Sequence, residues 1–211
     1  MIADIVLASD RATERLAWFD PPTFPGKTVL MHRQPHDLWR IDYQIDPDED
    51  EAFAVDPANV LPRIAAHLEW IHELGEWRPE WISTYRAHSL SLDSYRHDRI
   101  LFAGDAAHLV PIFGVRGLNG GLVDANNLAW RLADVVHGRA GDTTLDTYAS
   151  EQHHAWSENI RNAEQSTVFM TPGTPGRTLA RDAALELAAD DPVCAARLNP
   201  RLAEYLDGRI P

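Results

Sequence analysis

Gly104-Asp105-Ala106-Ala107-His108, then Pro111, then glycines at 114, 117, 120 and 121, is the stretch that most limits what this chain can be. Ile100 to Ala103 form a short apolar run, the pattern of a buried strand. Gly104-Asp105 ends it. Beyond the glycines, apolar residues recur at 125, 128, 129, 132, 135 and 136, which is helical spacing with one buried face. The order is therefore strand, acid, glycine loop, helix. Each part suits a bound small molecule. The Asp105 carboxylate can accept hydrogen bonds from hydroxyls at the strand's end. Glycines lack Cβ, so backbone can come close to a flat ligand. A helix start offers N–H groups and the positive end of its dipole.

This stretch resembles the second FAD-binding motif of the flavin-dependent aromatic hydroxylases. Those are single-component monooxygenases of the para-hydroxybenzoate and 3-(3-hydroxyphenyl)propionate hydroxylase type. The likeness continues through Asp124-Ala125-Asn126-Asn127-Leu128-Ala129-Trp130 and Leu145-Asp146-Thr147-Tyr148. It implies an FAD enzyme that uses NADPH or NADH as co-substrate and O2 to hydroxylate a small phenolic or aromatic substrate. In such enzymes the cofactor carries the chemistry and the protein positions it. Carried over, Asp105 would hold the ribityl hydroxyls and Gly114 would belong to the cofactor loop. Pro111 would lie beside the flavin ring at its reacting edge, the catalytic position. Gly117, Leu118 and Asn119 would present N–H groups to the N1 and O2 side, where reduced flavin is anionic. Ile112 stands where many relatives have a second proline, so an N–H is regained there.

An absence shapes the domain reading. The family opens with a strand, a G-x-G-x-x-G turn and a helix that hold the pyrophosphate. No G-x-G-x-x-G occurs in this sequence, and Asp207-Gly208 is too near the C-terminus to be the family's middle Asp-Gly signature. The resemblance implies a C-terminal portion of such an enzyme, with the other half of the FAD grip elsewhere. Exposed apolar surface is expected where that half would pack, hence self-association or a missing N-terminal segment. The expected class is α/β (α+β). Part of a mixed substrate-domain sheet is followed by the last strand and helices of an FAD-binding, Rossmann-like domain. Residues 1–94 form the partial sheet domain, 95–170 the C-terminal part of the FAD-binding domain, and 171–211 a helical extension.

Composition narrows the class. A net charge of −13 argues against nucleic acid and anionic membranes as partners. The single Cys194 excludes an internal disulfide and fits a reducing, cytoplasmic setting. No apolar run approaches the roughly 20 residues of a membrane span, and no leader stands at Met1.

Along the chain, residues 2–8, 15–19, 28–31 and 38–45 read as strands, with Gln34-Pro35-His36-Asp37 as a turn. In the last, Trp39, Ile41, Tyr43 and Ile45 share one face and Arg40, Asp42 and Gln44 the other. The polar face either meets solvent or lines the roof of a substrate site, and Arg40, Asp42 and Gln44 are then the substrate-binding candidates. Asp46 to Glu51 reads as a solvated acidic loop, not a metal site. A helix from Pro57 to about His72 carries Leu61, Ile64, Ala65, Leu68 and Ile71 at core spacing. His67 and His72 read as surface residues. Trp81, Ile82 and Tyr85, in a strand region over 77–92, read as core. A polar helix is expected over 149–168 and another over 177–189. Adjacent His153 and His154 point about 100° apart on a helix and cannot chelate together. His108 reads as a hydrogen-bonded structural histidine more readily than as a base.

Three functions compete: an aromatic-ring hydroxylase, a non-catalytic remnant or interaction module of the same fold, and a related FAD oxidoreductase acting on a non-phenolic substrate. Flavin absorbance and substrate-stimulated NADPH oxidation separate the first two, and a substrate screen separates the third.

Overall fold

The computed structural model describes residues 1–46, 48–113 and 116–198. The chain separates into two compact units, Met1–Arg86 and a second beginning at Ala87.

The first unit is a five-stranded sheet with helices on one face. Its strands are β1 (Ile2–Leu7), β2 (Arg15–Phe19), β3 (Thr28–Arg33), β4 (Leu38–Tyr43) and β5 (Trp77–Ser83), in the order β2-β3-β4-β1-β5. The α+β class expected from sequence is what the structure shows. The sheet, expected to be mixed, is antiparallel at every pairing. Period-two alternation sends Trp39, Ile41 and Tyr43 of β4 inward, next to Ala3, Ile5 and Leu7 of β1. The β3–β4 turn places His36 and Asp37 at φ of 65° and 56°, the left-handed region that a tight reversal demands.

Two helices cover the apolar face: α1 (Glu51–Val55) and α2 (Pro57–Trp70). Asp50 caps the first by accepting from the Phe53 N–H, and Asp56 caps the second from Ala58 N–H, with Pro57 at its first position. The acidic run is thus partly structural. Asp46 and Glu49 pair with Lys27 and Arg63, and Asp50 is a cap.

Two expectations fail in this unit. His67 is not a surface residue but fully buried. It lies seven residues beyond Val60 and three beyond Ile64, on the helix's inner face. Its Nδ1 meets Thr23 Oγ1 at 2.8 Å, and its ring packs against Trp18, Phe24 and Trp70. Conversely, Trp81 and Tyr85 are about half exposed. β5 is an edge strand. Register sets Ile82 opposite Ala3 on the core side, but Trp81 opposite Asp4 on the other side.

The second unit is mostly helical. Short strands β6 (Leu90–Ser91) and β9 (His108–Leu109) pair, as do β7 (Arg96–His97) and β8 (Ile100–Leu101). The helices are α3 (Gly117–Val136), α4 (Thr144–Met170), α5 (Pro175–Asp190) and α6 (Pro192–Leu198). α4 starts ahead of the expected 149, so Leu145 and Tyr148 are inside it and buried. α5 starts within the expected loop, because Thr174 accepts from the Arg177 N–H and Pro175 takes the first helical position.

Ile100 to Ala103 is not a buried strand. β8 pairs only with β7, and Ile100 is exposed. Nor does α3 bury the apolar face its spacing suggests. Ala125, Ala129 and Val136 are exposed, and the fully buried positions are Asp124 and Arg131, with Leu128 and Leu132 half-buried. Within the unit, α3 meets chiefly the turn at Gly104 and α4. No helix among the described residues is long and apolar enough to cross a membrane.

Candidate functional site

The site is built from the turn after β8 and the start of α3. Gly104 opens a 3-10 turn, Gly104–Ala106, at φ 58°, a conformation in which any Cβ would be strained. Asp105, next in line, is exposed. None of the hydrogen bonds or ion pairs of the described residues engages its carboxylate, so both oxygens remain available as acceptors.

α3 approaches this turn through glycine. A Cβ on Gly121 would sit 3.5 Å from the Gly104 Cα, and one on Gly104 would sit 3.7 Å from the Gly121 Cα. One turn further along α3, Asp124 is buried. Its Oδ2 accepts from the Gly104 N–H at 2.8 Å and meets His108 Nε2 at 2.7 Å. A carboxylate only accepts, so Nε2 of His108 carries the hydrogen. The Nδ1 of His108 is buried without a hydrogen-bond partner.

A small aromatic base lies beneath. Tyr95 and Tyr148 are fully buried around Ala107. The Tyr148 hydroxyl donates to the Phe102 carbonyl at 2.7 Å, and burial pushes its phenol upward. Tyr95 shares a hydrogen bond of 2.9 Å with Ser91 Oγ, and its ring lies 5.6 Å from that of His108. Trp156 of α4 donates to the Leu109 carbonyl at 3.3 Å. The turn is thus anchored from three sides.

The start of α3 has no side-chain cap and no acidic residue in its first turn. Its dipole and leading N–H groups are therefore not offset by the chain's own carboxylates. A Cβ at Gly117 or Gly120 would find its nearest neighbour at 3.7 or 3.6 Å, ordinary contact. The chain's own packing thus does not require glycine at either position. An outside group that approaches the backbone would.

Of the residues expected at a cofactor, Asp105, Gly117, Leu118 and Asn119 fall at this turn and helix start, with Leu118 and Asn119 exposed. Pro111 is buried. Gly114 lies outside the described residues. These features fit FAD: an unengaged acceptor for sugar-like hydroxyls, and an uncapped helix start for an electron-rich ring edge. Among the described residues no group of His, Cys, Asp or Glu could hold a metal ion.

The three substrate candidates lie in the first unit. Arg40 donates through Nε and Nη2 to both oxygens of Asp4, at 2.8 and 2.9 Å. Gln44 Oε1 accepts from the Thr28 N–H at 2.7 Å. Both are committed to holding the sheet. Asp42 is different. Its Oδ1 is buried with no partner, and burial lifts its acid to about 6. His32, on the same face one strand over, also has a buried, unpartnered Nδ1, and burial lowers its pKa. Asp124, which the sequence placed in the family-like stretch without a role, is the residue that holds this turn. Its signal was there: three residues past Gly121, it shares the helix face that a glycine contact turns toward the loop.

Residues 14–163 match the family model described as FAD binding domain. Among curated proteins, the chain is 34% identical over 182 residues to a 3-(3-hydroxy-phenyl)propionate/3-hydroxycinnamic acid hydroxylase of Mycolicibacterium vanbaalenii, covering 86% of this chain and 30% of that protein. It is 58% identical over 71 residues to the tetracenomycin B2 monooxygenase-dioxygenase of Streptomyces olivaceus, covering 34% of this chain and 13% of that one. Among solved structures, p-nitrophenol 4-monooxygenase from Pseudomonas putida superposes with a TM-score of 0.71 at 23% identity, over all of this chain and 52% of that one. CabE, an aromatic hydroxylase from angucycline biosynthesis, superposes with a TM-score of 0.66 at 26% identity, over 92% of this chain and 38% of the other. The chain therefore spans a third or less of the curated relatives it matches. With the turn, the helix start and the family model in agreement over one stretch, this chain belongs to the FAD binding domain family.

Proposed function

We propose that the chain works as the C-terminal portion of an FAD-dependent aromatic-ring monooxygenase that takes electrons from NADPH or NADH and one oxygen atom from O2. The observation that carries this reading is the exposed, unengaged Asp105 carboxylate in a turn packed against the uncapped start of α3. The names of the relatives supply the reaction class, and the shared family supplies the cofactor. Residues 1–94 then act as the substrate sheet, 95–170 as part of the FAD-binding domain and 171–211 as an extension whose described part, 171–198, carries α5 and α6.

When bound, FAD supplies the redox chemistry. The chain's residues hold and bias it. Asp105 would accept from the ribityl hydroxyls, and the N–H groups at Gly117, Leu118 and Asn119 would stabilise negative charge on the bound ring without rearranging. Pro111 stiffens the wall beside the ring. In the sheet, Asp42 is the candidate acceptor for a substrate hydroxyl, because its oxygen alone among Arg40, Asp42 and Gln44 is not already used. Arg40 and Gln44 shape that face.

A second observation bears on completeness. Leu118, Leu122, Val123, Trp130 and Val136 of α3 are all exposed, Leu118 at 75%. Several large apolar side chains exposed along one helix suit a place for further polypeptide. We therefore place the working enzyme in an assembly where α3 is covered, by a second copy or by an additional segment.

The test is titration of the purified chain with FAD, followed by flavin absorbance, with Asp105→Ala in parallel. NADPH and NADH oxidation are then assayed with a panel of phenols, and product is traced with isotopically labelled O2. Saturable binding that Asp105→Ala weakens by about tenfold, the size of one lost hydrogen-bond acceptor to a ligand, is the expected result. Label in a hydroxylated product completes it. A chain that ignores FAD, or binds it equally well without Asp105, overturns the reading.

A further inference from the structure

We propose that Asp124 is a positioning residue for the cofactor turn: its single buried oxygen ties Gly104 and His108 to α3 and so fixes the spacing between Asp105 and the helix start. This rests on the flavin reading above and deepens it. Three observations carry it.

The first is economy of contact. One oxygen of Asp124 takes both the Gly104 N–H at 2.8 Å and His108 Nε2 at 2.7 Å, and the residue is only 2% exposed. Burying a carboxylate is costly unless it is hydrogen-bonded. Here the bonds reach backbone on one side and a ring on the other, so the cost of separating them is high.

The second is the place of the clamp. Gly104 is the residue that turns the chain so that Asp105 projects outward, and it needs φ 58° to do so. Asp124 holds the amide of that very residue. It lies on α3 seven residues after Gly117. A displacement of α3 along its axis would therefore move the donors at the helix start and pull on Asp105's neighbour together. The Gly104–Gly121 approach, 3.5 Å from Cα to a would-be Cβ, is ordinary contact and brings the turn beside α3 one turn before Asp124.

The third is His108. Its ring is braced by Tyr95 on one side, and a Cβ on Gly120 would stand 3.6 Å from its Cε1. Because Asp124 directs the hydrogen to Nε2, Nδ1 is left as a buried acceptor. His108 thus serves as a strut between β9 and α3, and Asp124 orients it. No contact with the cofactor is assigned to either side chain.

The test uses the full chain and two variants, Asp124→Asn and His108→Phe. The first keeps shape and one acceptor oxygen but removes the charge that strengthens both bonds; the second keeps a ring but removes the bond. FAD affinity is measured for each, and the nitrogen signals of the His108 ring and hydrogen exchange at the amides of 104, 105 and 117–119 are followed by NMR. The expected result is a fall in FAD affinity of about tenfold or more in Asp124→Asn and a smaller fall in His108→Phe. The double variant should be no worse than Asp124→Asn, since both act through one clamp. In the wild type the ring signals should report hydrogen on Nε2, and exchange at the five amides should rise in both variants while β1 and β4 amides stay unchanged. Should Asp124→Asn fail to fold, His108→Phe carries the comparison by FAD affinity and amide exchange.

Failure can be assigned. If the wild-type chain does not take FAD, the flavin reading falls, and the clamp is judged on ring signals and exchange alone. If FAD binds the wild type and both variants equally, or exchange at 104, 105 and 117–119 is unchanged, the positioning role of Asp124 is overturned while the flavin reading stands.

Discussion

The two units solve the same problem with different materials. The unit before Arg86 buries a continuous apolar cluster, from Met1, Ala3, Ile5 and Leu7 through Trp39, Ile41 and Tyr43 to Val60, Ile64 and Leu68. The unit after Ala87 buries Tyr95, Ala107 and Tyr148 as its apolar cluster and leaves large apolar residues on α3 outside. What closes the second unit is polar: Asp124 with Gly104 and His108, and Arg131 with Glu151 at 2.6 Å, Thr147 and the Asn127 carbonyl. Apolar burial scales with area and is insensitive to direction. Buried polar contacts are directional and fail sharply when one partner is lost. The first unit is therefore built to be stable, and the second to hold a particular geometry around an open turn.

The largest effect that would break this contrast is expected in the first unit. Trp39 is fully buried in β4, and Trp39→Ala should cost about 3–5 kcal/mol, read by urea unfolding. A cost below 1 kcal/mol would show that the sheet core is not what holds that unit. Next comes the clamp. Asp124→Asn should cost about 1–2 kcal/mol, because two donors exchange a charged acceptor for a neutral one. Unfolding followed at Trp156 should report it, since that side chain donates to Leu109 next to His108.

A smaller effect sharpens the contrast through pH. Burial holds His67 at about 4 against an ordinary 6.5. The unfolded chain takes that proton first, so stability falls as pH drops from 6.5 towards 4. Burial holds Asp42 at about 6 against an ordinary 3.8. There the folded chain holds the proton, so stability falls as pH rises from 3.8 through 6. The two slopes oppose each other in one unit. Asp42→Asn should leave the acid-side loss exposed, and His67→Phe the opposite slope, each on the order of 1 kcal/mol across the window once screening is allowed for. Urea midpoints between pH 4 and 6.5 check the signs. The smallest effect is expected at Leu118. Leu118→Ser should change stability of the isolated chain by less than about 0.5 kcal/mol, since the side chain is 75% exposed. A larger loss would mean that α3's outer face is already packed.

Much of the first unit could be read from residue order alone. Alternation in β4 gave the inward Trp39, Ile41 and Tyr43, and the turn at Gln34–Asp37 fell where expected. His67 escaped because residue type was weighed over position; its spacing from Val60 and Ile64 marked it as inner. Trp81 and Tyr85 escaped for the converse reason. Aromatic character does not reveal that β5 is an edge strand or that Tyr85 lies beyond its end. In the second unit the glycine and acid pattern located the turn, but its apolar helix spacing misled. Periodicity says which residues share a face, not whether anything in the same chain covers it. Among the described residues α3's apolar face is only partly covered, through Leu128 against Tyr95 and Tyr148, and its buried positions are Asp124 and Arg131. A polar clamp leaves little trace in hydrophobic patterning, so the sequence showed Asp124 only as part of the stretch after the glycines and not as the tie to Gly104 and His108.

The most direct measurement is an amide NMR map of the chain with and without FAD. The account predicts shifts concentrated at Gly104, Asp105, Gly117, Leu118 and Asn119, lost in Asp105→Ala. Shifts that avoid both the turn and the helix start, or that persist unchanged without the Asp105 carboxylate, would contradict it.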